Sequence, residues 1–180
     1  MISTPVALLV LLSALMHAGW NFVVKASADR FLDYTGLAVA GAVVAACVQP
    51  WLPLPAAASW PWLLATTFIH VGYYLLLMRA YQHADLSLAY PLMRGSAPVL
   101  VALAAPLAGD TLTPGLWLGI ALVAGGIALP VGVGIRRGGI ASSGLFYGFA
   151  TAGVIALYTL VDGIGARLSG NAIAYTLWLF

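Results

Sequence analysis

Six stretches of about twenty apolar residues follow one another along this chain, and a seventh opens near Asn171. That length matches the hydrocarbon thickness of a bilayer, where a chain must satisfy every backbone N–H and C=O from within. The expected fold class is therefore an all-α integral membrane protein, a polytopic helix bundle. Composition agrees: 63% of the 180 residues are hydrophobic and 7% are charged, against about a quarter charged in soluble domains. The mean hydropathy is +1.03.

The apolar windows place helices near residues 4–24, 34–52, 61–80, 87–108, 114–134 and 143–161, with the seventh starting near 171 and cut off at Phe180. Gln49-Pro50 and Pro53-Leu54-Pro55 close the second. Gly109-Asp110 and Thr113-Pro114 separate the fourth from the fifth, and Arg136-Arg137-Gly138-Gly139 follows the fifth. Trp51, Trp60 and Trp62 cluster at one junction and mark a membrane surface, because indole prefers the headgroup level. The first stretch lacks the basic start of a secretory signal and runs past Trp20 to Val24, so it reads as a retained helix. The net charge of +2 comes from a few residues near helix ends and gives no argument for nucleic acid. A single cysteine, Cys47, excludes an intrachain disulfide framework and any multi-cysteine metal site.

Arg94 stands out against this background. It lies about eight residues into the fourth stretch, some 12 Å deep at the helical rise of ~1.5 Å per residue. An arginine at mid-membrane costs roughly 2.5–3.5 kcal/mol on insertion scales, so a tolerated one faces the protein interior or a water-filled cavity. The alternative is that it snorkels along its stem to the interface. Tyr90, Arg94 and Pro98 share one helical face, with Pro91 and Gly95 one row over. Pro91 and Pro98 leave the carbonyls one turn back without their usual donors, exposing polar backbone to an occupant.

Other polar groups sit within the apolar stretches. The first helix carries His17 and Asn21 one turn apart, with Trp20 beside them and Lys25 a further turn on. The third carries His70, Tyr73 and Tyr74; the sixth carries Tyr147, Thr151 and Tyr158, with Asp162 at its end. Projected inward, they would line a cavity suited to a small amphipathic solute. His17 reads either as a buried histidine bonded to a neighbouring helix or as a proton-exchanging group, since imidazole titrates near neutral pH. His70 reads as the former. Asp162 is either the counter-ion of Arg94 or an interfacial aspartate facing water. Gly115 with Gly119, and Gly144 with Gly148, either admit a close neighbouring helix or face lipid.

Enzyme signatures are missing: there is no His-Glu-x-x-His zinc motif, no nucleophile elbow around Ser96 and no phosphate-cradling loop with its lysine. The chain is read as a non-enzyme that needs no cofactor. A weak internal echo aligns Ala18, Trp20 and Val23 with Ala156, Tyr158 and Val161, and Tyr34-Thr35 with Tyr175-Thr176. A five-helix repeat has an odd number of spans, so a second copy enters the membrane inverted.

The order of several short motifs resembles the EamA-type drug/metabolite transporter superfamily over nearly the whole chain. They are His17-Ala18-Gly19-Trp20-Asn21, Arg79-Ala80-Tyr81, the run from Ala84 to Pro98 with Pro91 and Pro98, Gly109-Asp110 with Leu112-Thr113, and Trp117, Gly119 and Gly125-Gly126. Asp110 stands where the family often has glutamate. The related small multidrug exporters rely on a glutamate in the first helix, and this chain has none. The resemblance implies two inverted five-helix repeats and alternating access around a central cavity. Residues 1–135 would hold the first repeat and 143–180 the truncated start of a second.

The expected function is a carrier for a small organic metabolite or drug in the cell (inner) membrane. His17, Trp20, Asn21, Tyr90, Arg94 and Tyr158 are its candidate substrate-binding residues, and Arg94 favours an anionic solute. Its partners would be that solute, the lipid bilayer, and a second copy or a second half. The competing reading is a helical scaffold or assembly partner without transport. Loop charge puts Lys25, Arg30, Arg79, Arg136 and Arg137 on one side and Arg167 on the other. That count directs the N-terminus outside, whereas ten-helix relatives keep both ends in the cytoplasm.

Overall fold

Prolines and polar junctions set the helix limits. The computed structural model describes residues 4–26, 30–108, 112–138 and 141–180; the side chains at 18, 20–26, 30, 31, 33, 34, 86, 107 and 108 lie outside the described residues. Among the described residues seven α-helices form: α1 (Thr4–Ala26), α2 (Arg30–Val48), α3 (Trp60–His83), α4 (Leu86–Ala104), α5 (Pro114–Arg136), α6 (Ser142–Leu168) and α7 (Ala172–Trp178). Short 3-10 turns extend α2 over Gln49–Trp51, precede α3 over Ala57–Ser59 and follow α4 over Ala105–Ala108. α5 starts where Thr113 accepts a hydrogen bond from the Leu116 amide, with Pro114 in the first turn.

Four segments are long and apolar enough to cross a membrane: Ala57–His83, Ser87–Ala104, Pro114–Arg136 and Ser142–Leu168. In α1 and α2 the described apolar stretches are Thr4–His17 and Thr35–Trp51. The all-α fold of a membrane protein is thus present in the helices themselves. α6 departs from its expected limit near 161 and runs on to Leu168, through Asp162, Gly163 and Gly165. Tertiary contacts explain this. The Tyr175 hydroxyl of α7 donates to Asp162 at 3.2 Å, and the Tyr175 ring lies directly over Gly165, where a Cβ would collide with it.

The chain divides into two compact units, Met1–Pro53 with Phe180 and Leu54–Leu179. In the first, α1 packs on α2, and Ala45 is buried.

In the second unit α6 is the central element. α3 and α4 each pack extensively on α6 and touch one another only slightly, α5 packs on α4, and α7 on α6. α3 buries Leu63, Thr66, Tyr73 and Ala80, with His70 and Leu77 half-buried between them. That alternation of three and four residues is one helical stripe. α6 answers with Gly144, Gly148, Thr151, Ala152, Ile155 and Ala156, all buried. Small residues let helix backbones approach closely where lipid gives no hydrophobic drive to associate. A Cβ on Gly144 would lie 2.6 Å from the His83 carbonyl oxygen, so the two helices meet nearly backbone to backbone. The buried Thr151 hydroxyl donates to the Tyr147 carbonyl at 2.6 Å and is thus satisfied within its own helix.

α4 is continuous through Pro91 and Pro98. Its Ala89, Met93 and Ala97, one turn apart, join Tyr73, Ala80 and Ile155 in the main core. Leu92 packs with Val131 of α5, and a side chain at Gly95 would collide with Ile127 of α5. Gly95, read in the sequence beside the Arg94 face, is therefore a packing glycine. At the end of the bundle where α3 begins, the Trp60 indole donates to the Pro55 carbonyl at 3.1 Å and lies 5.3 Å from the Trp178 ring.

Candidate functional site

α3 and α4 touch one another only slightly while both pack on α6, and one side chain from each of the three helices meets where they converge. Arg94 comes from α4, Tyr73 from α3 and Tyr158 from α6. The Arg94 guanidinium donates from Nη2 to the Tyr73 hydroxyl over 3.4 Å. Tyr158, Tyr90 and Tyr81 also lie within electrostatic reach of the charge. Arg94 remains exposed, whereas Tyr73 is only 8% exposed and Tyr158 is half-buried. The guanidinium therefore sits over a floor of phenols.

Aromatic contacts fix that floor. Tyr73 meets Tyr74 edge-on at 5.1 Å and Tyr158 edge-on at 5.9 Å. Such tilted pairs place the positive edge of one ring against the negative face of the next, each contributing about 0.5–1.5 kcal/mol beyond burial. His70 extends the strip, its ring stacked on Tyr158 at 4.4 Å and 27°. Its Nδ1 lies 2.8 Å from the Thr66 carbonyl on its own helix. The expected bond to a neighbouring helix is thus replaced by one to α3 itself, and what His70 shares with a neighbour is ring surface.

Electrostatically, phenols stabilise a guanidinium without neutralising it. Among the described residues the groups that face Arg94 are these phenols. Asp162 is instead engaged with Tyr175 at 3.2 Å, which joins α6 to α7. Arg94 keeps its full charge beside Tyr73 of α3. Pro98 adds a second polar feature there, because it offers no N–H to the Arg94 carbonyl one turn back.

Of the residues singled out from sequence, the structure brings Arg94, Tyr158 and Tyr90 into one neighbourhood. His17 is half-buried on α1, in the first unit. The side chains of Trp20 and Asn21 lie outside the described residues. Tyr147 joins a different group, with its ring 5.2 Å from that of His83, whose Nδ1 donates to the Arg79 carbonyl at 2.8 Å. The direct partner of Arg94, Tyr73, lies on the buried stripe of α3 and is not among the substrate-binding residues expected from sequence, where nothing local separates it from Tyr74. Among the described residues no group of three His, Cys, Asp or Glu side chains is placed to hold a metal ion.

No family model, curated protein or solved structure matches the chain. What the protein does is to be read from the chemistry of this cluster.

Proposed function

We propose that the chain belongs to a membrane transporter that moves a small organic metabolite or drug by alternating access, a member of the EamA-type drug/metabolite transporter superfamily in the cell (inner) membrane. The observation that carries this reading is Arg94, charged and exposed midway along a membrane-crossing helix and faced by phenols. A charge placed there is costly unless it meets water or an occupant, and such residues mark solute pathways. The motif order of the sequence and the pairing of Trp20 with Tyr158 in its internal echo support a two-repeat carrier with its site between the repeats.

In this reading Arg94 takes the anionic group of the solute, because the planar guanidinium matches a carboxylate with two parallel hydrogen bonds. Tyr73 holds the fork in place, while Tyr90 and Tyr158 cover the apolar part of the solute. The direct test is initial-rate flux with the protein extracted from its own membrane and reconstituted in vesicles. Size-matched carboxylate and ammonium solutes are compared in the native protein and in Arg94→Lys. The native protein should favour the carboxylate, and Arg94→Lys, which keeps the charge and loses the fork, should lose about tenfold or more of that flux, the equivalent of ~1.4 kcal/mol. Equal flux of both solutes, with none lost in Arg94→Lys, would overturn the reading.

A further inference from the structure

His70 belongs to the same aromatic cluster, stacked on Tyr158, and one of its ring nitrogens has no hydrogen-bond partner among the described residues. Nδ1 lies 2.8 Å from the Thr66 carbonyl oxygen, and a carbonyl only accepts, so Nδ1 carries the proton. With the proton on Nδ1, Nε2 is the acceptor of the ring. Among the described residues Nε2 has no hydrogen-bond partner. The ring cannot easily turn to find one, since it is stacked on Tyr158 and meets Tyr73 edge-on at 6.2 Å. Tyr73 in turn holds Arg94. The order His70, Tyr158, Tyr73, Arg94 is therefore a strip with a fixed acceptor at one end and a fixed cation at the other, lined by aromatic faces between. His70 is half-buried, so a donor group on an occupant would give Nε2 a hydrogen bond in a partly desolvated setting.

We propose that His70 is a binding residue of the Arg94 site. Its Nε2 accepts a hydrogen bond from an O–H or N–H group of a solute whose carboxylate rests on Arg94. The substrate class narrows from anions in general to hydroxy- or amino-substituted carboxylates. This inference rests on the reading of Arg94 as the anion site. Imidazole and carboxylate sites select differently: Arg94 reads the charge that both kinds of carboxylate share, and His70 reads the donor that only the substituted ones carry.

The test is equilibrium binding to the protein extracted with its native lipid. The probes are pentanoate and its hydroxy and amino derivatives substituted at each carbon in turn. At least one derivative should bind about tenfold more tightly than pentanoate, the size expected for one hydrogen bond to an otherwise unmet acceptor. His70→Phe keeps the stack on Tyr158 and removes Nε2, so it should bring that derivative to the affinity of pentanoate. His70→Gln, which restores an acceptor oxygen, should recover part of the preference. Comparing the hydroxy and amino sets shows which donor the site takes. Equal binding of pentanoate and all its derivatives by the native protein would overturn the proposal, as would a preference that survives in His70→Phe. Arg94→Gln separates the two readings. If it leaves pentanoate binding intact, the anion site falls while the His70 result stands by itself; if the native protein binds no carboxylate at all, both fall.

Discussion

On α6, a Cβ at Gly144 would lie 2.6 Å from the His83 carbonyl oxygen, and one at Gly148 would run into the Leu92 side chain. On α5, Cβ atoms at Gly115 and Gly119 meet nothing within 4 Å among the described residues. The two pairs have the same spacing and both sit in membrane-length apolar helices, so spacing does not decide what a glycine pair does. What decides is the neighbour: α6 lies against both α3 and α4, whereas α5 packs on α4 through Ile127, Val131 and Gly134. The rest of α5 presents exposed leucines, among them Leu118, Leu122 and Leu129, suited to lipid. The same asymmetry places the site. Arg94 reaches Tyr73 of α3, and Gly95, the next residue, meets Ile127 of α5.

The largest effect that would sharpen this contrast is at Gly144. Its obstacle is backbone, which cannot swing aside, so Gly144→Ala should destabilise by about 1–3 kcal/mol in a reversible unfolding measurement in detergent micelles. Gly148→Ala meets a leucine side chain that can change rotamer, and the loss should be smaller, about 1 kcal/mol. Tyr175→Phe keeps the ring over Gly165 and removes the hydroxyl that donates to Asp162. It should cost about 1 kcal/mol, with the loss absent when Asp162 is also replaced by Ala, if the hydrogen bond is the cause. The smallest change is at Gly115 and Gly119, where alanine should be neutral or stabilising by up to about 1 kcal/mol through helix propensity alone. A loss at Gly119→Ala as large as that at Gly144→Ala would break the comparison, because it would put a helix against the outer face of α5.

The starts of the helices were legible in sequence because their signals are local. Thr113-Pro114 opens α5, and Asn171 caps α7 through a 3.0 Å bond from the Ala174 amide. The end of α6 was not, because Asp162 and Gly165 resemble a terminus until Tyr175 arrives from α7 to occupy both. Arg94 was legible as a functional candidate from its cost alone. Its setting was not: the tyrosine it meets is twenty-one positions earlier in the chain, and nothing local distinguishes Tyr73 from the adjacent Tyr74, which is 59% exposed. His70 was read as a structural histidine bonded to another helix. Only the position of the Thr66 carbonyl shows that its own helix satisfies Nδ1 and leaves Nε2 over.

The central claim is that the Arg94 face meets water and solute while the outer face of α5 meets lipid. Cysteine labelling by a charged, membrane-impermeant thiosulfonate tests it most directly. The measurement uses Tyr90→Cys and Gly125→Cys, each in a Cys47→Ser background, reconstituted in lipid vesicles with reagent on both sides. Tyr90 shares the Arg94 face, and Gly125 lies on the open side of α5. The account predicts that Tyr90→Cys is labelled, that pentanoate slows its labelling because Arg94 is intact, and that Gly125→Cys stays unlabelled. A Tyr90→Cys protein as unreactive as Gly125→Cys would contradict it, since Arg94 would then sit against lipid or packed protein with no path to water.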